Sequence, residues 1–423
     1  MPVLRLVVAV LAGAATIAGC TTTSRLPAPP PQLATKADPG SGAVRYLVAR
    51  DASGLAQAAR DAILRRQAWR AAHGQTGSLP PANLLAISGG GDGGAFAAGF
   101  LNGWTAHGDR PEFQMVTGVS AGALIAPFAF LGPRYDVVLS GIYTQLSQRD
   151  IYTNRWFLPA LFSDSLASTR PLRRLVRRYV TPQLLDAITA EAAKGRLLFI
   201  GTTDLDTPEP VIWNMTAIAA SKDPHAIDLF RKVLVASCAV PAVFPPVMID
   251  VSVDGAHYQE MHVDGAVIAQ VFAYPPELSP GELAASAGAP HPLRLFLIEN
   301  VQLSPQWQSV KRRALTIGDR AISTMTQAEG VADLNRIYQI AQRDHVDYNL
   351  ALIPVSFDFP HKEPYDTAYM RSLYQTGYEL GARGYSWRKT PPGYYGPLAP
   401  VPAQGSQSEG SPPEHPEARL RQR

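Results

Sequence analysis

The residue of this sequence best suited to covalent chemistry is a serine in a Gly-x-Ser-x-Gly pattern. Ser120 lies between Gly118 and Gly122, after the apolar run 113–117 and before the apolar run 123–126. This order predicts a strand, a sharp turn and a helix, and the flanking glycines allow the turn to expose the serine hydroxyl above the sheet. The pattern therefore predicts a nucleophile elbow with Ser120 as the nucleophile of an acyl transfer.

A glycine-rich turn comes one strand earlier. The apolar run 84–87 leads into Gly89, Gly90 and Gly91, and a helical stretch of small residues follows. Backbone amides in such a turn can converge on an anionic oxygen beside a helix N-terminus, so the turn suits either a phosphate cradle or an oxyanion hole. The spacing also matches a dinucleotide fingerprint, but the next strand ends in Thr117 where a ribose-binding site would have Asp or Glu.

A serine nucleophile needs a base, and the residues leave two mechanisms open. One is a Ser-Asp-His triad that uses a downstream histidine, with His291, His345 and His361 as candidates. His345 lies in a charged run and His361 follows Phe-Pro in a predicted loop, and both settings are typical of surface residues. The other mechanism is a Ser-Asp dyad.

The elements that must position these residues are predicted from hydrophobic periodicity. Short apolar runs alternate with helical stretches, and the runs 84–87, 113–117, 197–203, 211–213 and 293–297 are typical of buried strands. This alternation favours an α/β fold, in which both candidate turns follow the carboxyl ends of neighbouring strands.

Four motifs occur in a fixed order along the chain, at residues 89–101, 118–122, 236–247 and 263–266. Together they resemble the motifs of patatin-like phospholipases over about residues 82–385. The resemblance implies a three-layer α/β/α sandwich around a central, mostly parallel sheet. It also implies that Ser120 is the nucleophile and that the Asp of an Asp-Gly-Ala tripeptide is the general base. For the oxyanion hole we expect the amides of Gly89, Gly90, Gly91 and Ala121.

The tripeptide Asp-Gly-Ala occurs twice, at Asp254 and at Asp264. Segments 247–253 and 257–263 alternate as strands do, and Asp254-Gly255 between them is typical of a type I′ hairpin turn. Asp254 is therefore predicted at a solvated tip, whereas Asp264 ends the returning strand and is predicted to be the base. His262, two residues earlier, is expected to be a hydrogen-bonded neighbour rather than a catalytic residue.

Some positions depart from the family pattern. Asp92 and Gly93 stand where the family's glycine turn usually carries Arg or Lys, and Gln270 and Phe272 replace a frequent Asn and Pro. Substrate choice could differ accordingly. The arginines within 170–178 fit either a solvated helix face or contact with anionic lipid, and the solvated face is favoured because arginine stems commonly cover apolar surface.

The N-terminal segment 1–19 is predicted to be a lipoprotein signal peptide. Its apolar run of about ten residues is too short to span a membrane, and Ile-Ala-Gly-Cys, which ends at Cys20, resembles the lipobox of bacterial lipoproteins. Cys20 would then be lipidated and tethered to the cell envelope, in the outer membrane by the same resemblance. The alternative is an ordinary cleaved signal with a coincidental cysteine.

The remaining chain is divided by composition. We expect a Pro-rich tether at 20–41, an N-terminal helical extension at 42–81, a catalytic domain at 82–388 and a disordered tail at 389–423. The two cysteines leave Cys238 without an intramolecular partner if Cys20 carries lipid. A net charge of +3 without an aromatic-interleaved basic patch argues against nucleic-acid binding, and no ligand spacing indicates a metal or other cofactor.

The sequence thus predicts an exported, lipid-anchored serine hydrolase that cleaves acyl esters of phospholipids or lysophospholipids through a Ser120-Asp264 dyad. Two other functions remain open. One is a general carboxylesterase with a Ser-His-Asp triad, and the other is a lipid-binding lipoprotein with an inactive site.

Overall fold

The computed structural model describes residues 25–154, 165, 167–305, 307 and 309–394. The predicted signal peptide, Cys20 and most of the predicted tail lie outside these residues. The described residues up to Pro391 belong to one compact unit. In the described part of the chain, no helix is long and apolar enough to cross a membrane.

Strands and helices alternate along the chain, as the periodicity predicts. The strands are β1 (Arg45–Leu47), β2 (Ala82–Ile87), β3 (Met115–Val119), β4 (Thr153–Asn154), β5 (Ala167–Ser168), β6 (Leu197–Asp204), β7 (Glu209–Asn214), β8 (Val247–Val253), β9 (Ala256–Asp264), β10 (Leu293–Glu299) and β11 (Asp347–Leu352). The helices are α1 (Ala52–Ala72), α2 (Gly94–His107), α3 (Ala121–Leu131), α4 (Asp136–Gln145), α5 (Gln148–Ile151), α6 (Arg170–Tyr179), α7 (Pro182–Ala193), α8 (Met215–Ala220), α9 (Ala226–Ser237), α10 (Pro280–Ser286), α11 (Ala314–Arg343) and α12 (Thr367–Ala382).

One nine-stranded sheet contains all of the described strands except β4 and β5, which pair with each other. Strands β6, β3, β2, β10 and β11 are neighbours in that order and run parallel. Strands β7 and β1 extend the sheet beyond β6 in antiparallel pairing, and β9 also pairs with β6 and carries β8. The inner strands are therefore parallel, and the antiparallel strands lie on the β6 side.

Both faces of the sheet are buried by helices. In β2, Leu85 and Ile87 join the core formed with α2, α3, α9 and α12, while Leu84 and Ala86 join the core under α11. Strand side chains alternate between faces, so an apolar run such as β2 is satisfied only when both faces are covered. The predicted three-layer α/β/α arrangement is confirmed.

The N-terminal part of the domain differs from the prediction. Helix α1 is present in the predicted extension, but β1 pairs with β7, so the sheet begins before residue 82. Residues of the predicted tether also pack against the domain: Asp38 bridges Ser252, and the Arg45 guanidinium donates to the carbonyls of Ala34 and Ala37. Buried apolar and hydrogen-bonding contacts outweigh the extended preference of the prolines here.

Candidate active site

The turn between β3 and α3 presents Ser120 in a backbone conformation that few side chains adopt. Its φ of 52° and ψ of −119° place a non-glycine residue at positive φ, which is typical of strained functional turns. A Cβ at Gly118 would collide with the carbonyl of Gly122, and a Cβ at Gly122 would collide with the carbonyl of Ile87. Both glycines are therefore required for the turn to pack, and the elbow predicted from the sequence is present.

Strand β6 brings Ser120 and Asp264 together. Its first half pairs with β3 as far as Val119 opposite Gly201, and the next residue, Thr202, pairs with Asp264 of β9. Since β9 continues along the edge of β6 where β3 ends, the residue after β3 meets the end of β9. The Ser120 hydroxyl donates a hydrogen bond of 2.7 Å to Asp264 Oδ2.

The Asp264 carboxylate is held in a dry environment. It is 2% exposed, and burial raises its pKa from 3.8 to about 7. Hydrogen bonds from the Ala266 amide, 2.9 Å from Oδ1, and from Ser120 favour the charged form and partly oppose burial. A carboxylate with this pKa is a stronger base than a solvated one and is still ionised in mildly alkaline solution.

Asp254 lies apart from this site. It forms the exposed tip of the hairpin between β8 and β9, with φ of 52° and with Gly255 at φ 79°. Two consecutive residues at positive φ are the geometry of the type I′ turn predicted for Asp-Gly. The structure thus separates the two tripeptides as the sequence analysis does.

The hydroxyl of Ser237, at the end of α9, supports the elbow through two hydrogen bonds. Its hydroxyl accepts the Ser120 N–H at 2.9 Å and donates to the carbonyl of Gly201 at 2.7 Å. The Ser120 carbonyl is in turn 3.2 Å from the buried Cys238 thiol. The sequence analysis used residues 236–247 only as a motif and did not find the role of Ser237.

The glycine turn lies directly against the elbow. Gly90 and Gly91 have φ of 136° and 59°, and a Cβ at Gly90 would lie 2.8 Å from the carbonyl oxygen of Asn300. A Cβ at Gly89 would lie 3.3 Å from that of Ser120. The Gly89 amide, however, already donates to the carbonyl of Gln270 at 2.8 Å. The prediction that the Gly89 amide is an oxyanion donor is therefore wrong, and this amide instead stabilises the turn through its bond to Gln270.

Three predicted oxyanion residues keep a suitable position. Gly90 and Gly91 begin the short 3-10 helix Gly91–Gly93, and Ala121 is the first residue of α3. Amides at the start of a helix have no acceptor within that helix and can bind an anionic oxygen.

Comparison with known protein families finds one match in this chain. Residues 85–275, which include Ser120 and Asp264, match the family model described as patatin-like phospholipase. This part of the chain is similar to a patatin-like phospholipase domain. No curated protein matches the sequence.

Solved structures that match this chain include two proteins at 11% sequence identity. VipD from Legionella pneumophila matches with a TM-score of 0.31 over 72% of this chain and 67% of its own. Human GIVD cytosolic phospholipase A2 matches with a TM-score of 0.27 over 66% of this chain and 51% of its own. The matched part is thus about half of the human protein.

Asp92 of the patatin-like glycine turn anchors the loop before α12. Its Oδ2 accepts hydrogen bonds from His361 Nε2 and from the Tyr365 amide, each at 2.7 Å. The hydrogen bond to Asp92 raises the pKa of His361, although partial burial opposes this. Where the family pattern usually carries a cation, this domain thus has an anion that holds a neighbouring loop, and the sequence analysis did not predict this contact.

A buried carboxyl supports the glycine turn from the sheet. Burial raises the pKa of Glu299 to about 8, and its Oε1 accepts from the Ser88 hydroxyl at 3.0 Å and from the Val301 amide at 3.1 Å. Its Oε2 has no hydrogen-bond partner among the described residues. At neutral pH Glu299 is therefore mostly protonated, so the site beside the turn gains little negative charge from it.

Of the histidines considered as bases, His361 contacts Asp92 of the glycine turn, and the other two lie elsewhere. His262 is fully buried and contacts the Thr202 hydroxyl and Glu260. His291 and His345 precede β10 and β11, at the amino ends of parallel strands, opposite the edge where Ser120 lies. The described residues include no group of three or more His, Cys, Asp or Glu side chains placed to hold a metal ion.

Proposed function

We propose that this protein is a lipid acyl hydrolase of the phospholipase A or lysophospholipase type, which cleaves carboxylic esters through a Ser120-Asp264 dyad. The observation that carries the proposal is the 2.7 Å hydrogen bond from the Ser120 hydroxyl to a buried carboxylate with a pKa of about 7. The match to the patatin-like phospholipase model supports a lipid ester as substrate.

The reaction begins when Asp264 Oδ2 accepts the Ser120 proton and the serine oxygen attacks the ester carbonyl. The resulting oxyanion is stabilised by the amides of Gly90, Gly91 and Ala121. Collapse of this intermediate breaks the ester bond, and the alcohol departs with the proton from Asp264. Water, deprotonated by the same carboxylate, then attacks the acyl-enzyme, releases the fatty acid and restores the Ser120 hydroxyl.

The site is arranged so that one carboxylate can perform both proton transfers. Asp264 is fixed by the Ala266 amide through Oδ1, which leaves Oδ2 directed at Ser120. Because Ser120 is only 8% exposed, the reacting groups are largely screened from solvent. A dry site strengthens the electrostatic stabilisation that the backbone amides provide.

The test is hydrolysis of p-nitrophenyl butyrate and of phosphatidylcholine vesicles by the chain from residue 21 onward, which keeps every residue that the structure describes. Ser120→Ala and Asp264→Asn should lose activity on both substrates, whereas Asp254→Asn serves as the matched control and should retain it. Activity that survives Asp264→Asn but is lost in His361→Ala would replace the dyad with a triad. No turnover by the folded wild-type protein would favour a non-catalytic lipid-binding role.

We also propose that the protein is exported and anchored in the bacterial outer membrane by lipid on Cys20. The support is the short apolar run followed by Ile-Ala-Gly-Cys. Mass spectrometry of the mature N-terminus from membrane fractions should find Cys20 as the first residue, carrying a diacylglyceryl group, and Cys20→Ala should prevent this modification. A mature N-terminus elsewhere would contradict the anchor.

A further inference from the structure

A cavity lies at the opposite edge of the sheet from Ser120. It has a volume of about 110 Å³ and is lined by residues from the amino-terminal halves of four parallel strands, including Leu84, Met115, Leu197 and Leu293. Helix α1 and the segment 272–283 cover it. Because the proposed catalytic residues follow the carboxyl ends of the same strands, this cavity is separate from the active site.

The lining is apolar except at a few positions. Phe199, Ile212 and Phe272 contribute to its wall, and the side chain of Arg66 is its one fully charged group among the described residues. An engineered apolar cavity of about 150 Å³ binds the six carbon atoms of benzene, so this smaller cavity has room for about four. Its walls therefore suit a short aliphatic chain.

Arg66 is a buried cation whose described contacts include no acidic partner. It is 9% exposed, and its guanidinium donates to the carbonyl of Pro80 at 3.1 Å. None of the ion pairs of the described residues includes it. Burial, together with the charge of Arg70, lowers its pKa, whereas the charge of Glu112 opposes this, and an arginine remains protonated at physiological pH. Glu112 forms no ion pair with Arg66, so an incoming anion would give the buried guanidinium a hydrogen-bonded partner of opposite charge.

His291 lies within electrostatic range of Arg66 and also lines the cavity. Its Nδ1 is 2.6 Å from the carbonyl oxygen of Ala289, and burial together with the nearby Arg66 lowers its pKa. The hydrogen bond occupies one ring nitrogen and orients the imidazole. The lining of the cavity thus combines the permanent cation of Arg66 with the imidazole ring of His291.

We propose that this cavity binds a short-chain fatty acid, with its carboxylate on Arg66 and its alkyl chain against the apolar wall. A guanidinium is suited to a carboxylate because two parallel N–H groups match its two oxygens. The apolar chain gains from burial, and the carboxylate supplies the direct acidic contact that Arg66 lacks among the described residues. The proposal does not depend on the hydrolase activity, since none of its residues belongs to the Ser120 site.

The test is isothermal titration of the chain from residue 21 onward with acetate, propionate, butyrate and octanoate. Each added CH2 up to butyrate should tighten binding about fourfold, and octanoate should bind no more tightly than butyrate because the cavity is then full. Butan-1-ol, which lacks the carboxylate, should bind at least tenfold more weakly than butyrate. Absence of butyrate binding, or equal affinity for the alcohol and the acid, would overturn the proposal.

Substitutions of residues that line the cavity test whether the fatty acid binds there. Arg66→Met should weaken butyrate binding by about tenfold to a hundredfold, as expected when a charge-assisted hydrogen bond is lost. Arg66→Lys should lie between Arg66→Met and the wild type, because lysine keeps the charge but not the two parallel N–H groups. Arg60→Met is the matched control, since Arg60 is an exposed arginine of α1 that does not line the cavity. Ala59→Trp, which fills the cavity from α1, should abolish binding and serves where Arg66→Met fails to fold. Equal affinity in Arg66→Met and Arg60→Met, or full binding by Ala59→Trp, would refute the assignment.

Discussion

Replacing Asp264 with Asn is expected to abolish hydrolysis and to stabilise the fold at pH 8. Burial raises the pKa of Asp264 to about 7, from an ordinary value of 3.8. A carboxyl whose pKa is raised in the folded state favours folding fully only below pH 4, and this contribution is lost as the pH rises towards 7. At 1.36 kcal/mol per pH unit, the loss amounts to at most about 4 kcal/mol. The neutral amide of Asn avoids this cost.

Urea unfolding at pH 4 and pH 8 measures the effect. The free energy of unfolding of Asp264→Asn should be close to that of the wild type at pH 4 and should exceed it by up to about 4 kcal/mol at pH 8. Over the same range, kcat/KM of the wild type should rise through about pH 7 as the base ionises, and kcat of the variant should be about 10²-fold to 10⁴-fold lower.

The matched control is Asp254→Asn. The side chain of Asp254 is exposed at a hairpin tip, and Asn tolerates the positive φ there. The free energy of unfolding should therefore change by no more than about 0.5 kcal/mol, and kcat should stay close to that of the wild type. The reasoning is refuted if Asp264→Asn lowers the free energy of unfolding equally at both pH values, because burial of the charge would then cost nothing.

Three further outcomes are expected. Gly122→Ala should fail to fold or lose several kcal/mol of stability in thermal unfolding, because its Cβ would collide with a carbonyl of β2, whereas Gly141→Ala, with open space around the new methyl group, should be neutral or stabilising. Cys238 should resist thiol reagents until the protein unfolds, since burial raises its pKa; rapid labelling of the native state would contradict this. His361→Ala should increase hydrogen exchange in the loop held by Asp92, and in the wild type this protection should weaken as rising pH deprotonates the histidine; unchanged exchange would show that the ion pair does not hold the loop.

Local patterns were sufficient for the parts of the site that depend on neighbouring residues. The turn around Ser120 is determined by glycines two residues away on each side, and the Asp254-Gly255 turn by conformations that these residues adopt readily. Continuous apolar runs such as β2 likewise predict strands buried on both faces. These features need no information from distant parts of the chain.

The assignment of the base needed more than local pattern. The hairpin geometry separated Asp254 from Asp264, but the contact of Asp264 with Ser120, 144 residues away in sequence, arises because β9 continues the edge of β6 where β3 ends. Periodicity does not specify which strand edges will pair. The resemblance to a family supplied the expectation, and the sheet supplied its geometry.

Other features of the molecule were decided by tertiary structure alone. The Gly89 amide is used by Gln270, Ser237 supports the elbow, and Asp92 holds the loop that carries His361. Nothing in the sequence around Arg66 distinguishes it from the exposed arginines of α1. The sequence by itself determined which turns form and which residues can do chemistry. Which amides remain available, and which charges lie buried beside a cavity, depended on long-range packing, because hydrogen-bond partners and burial come from segments distant in the chain.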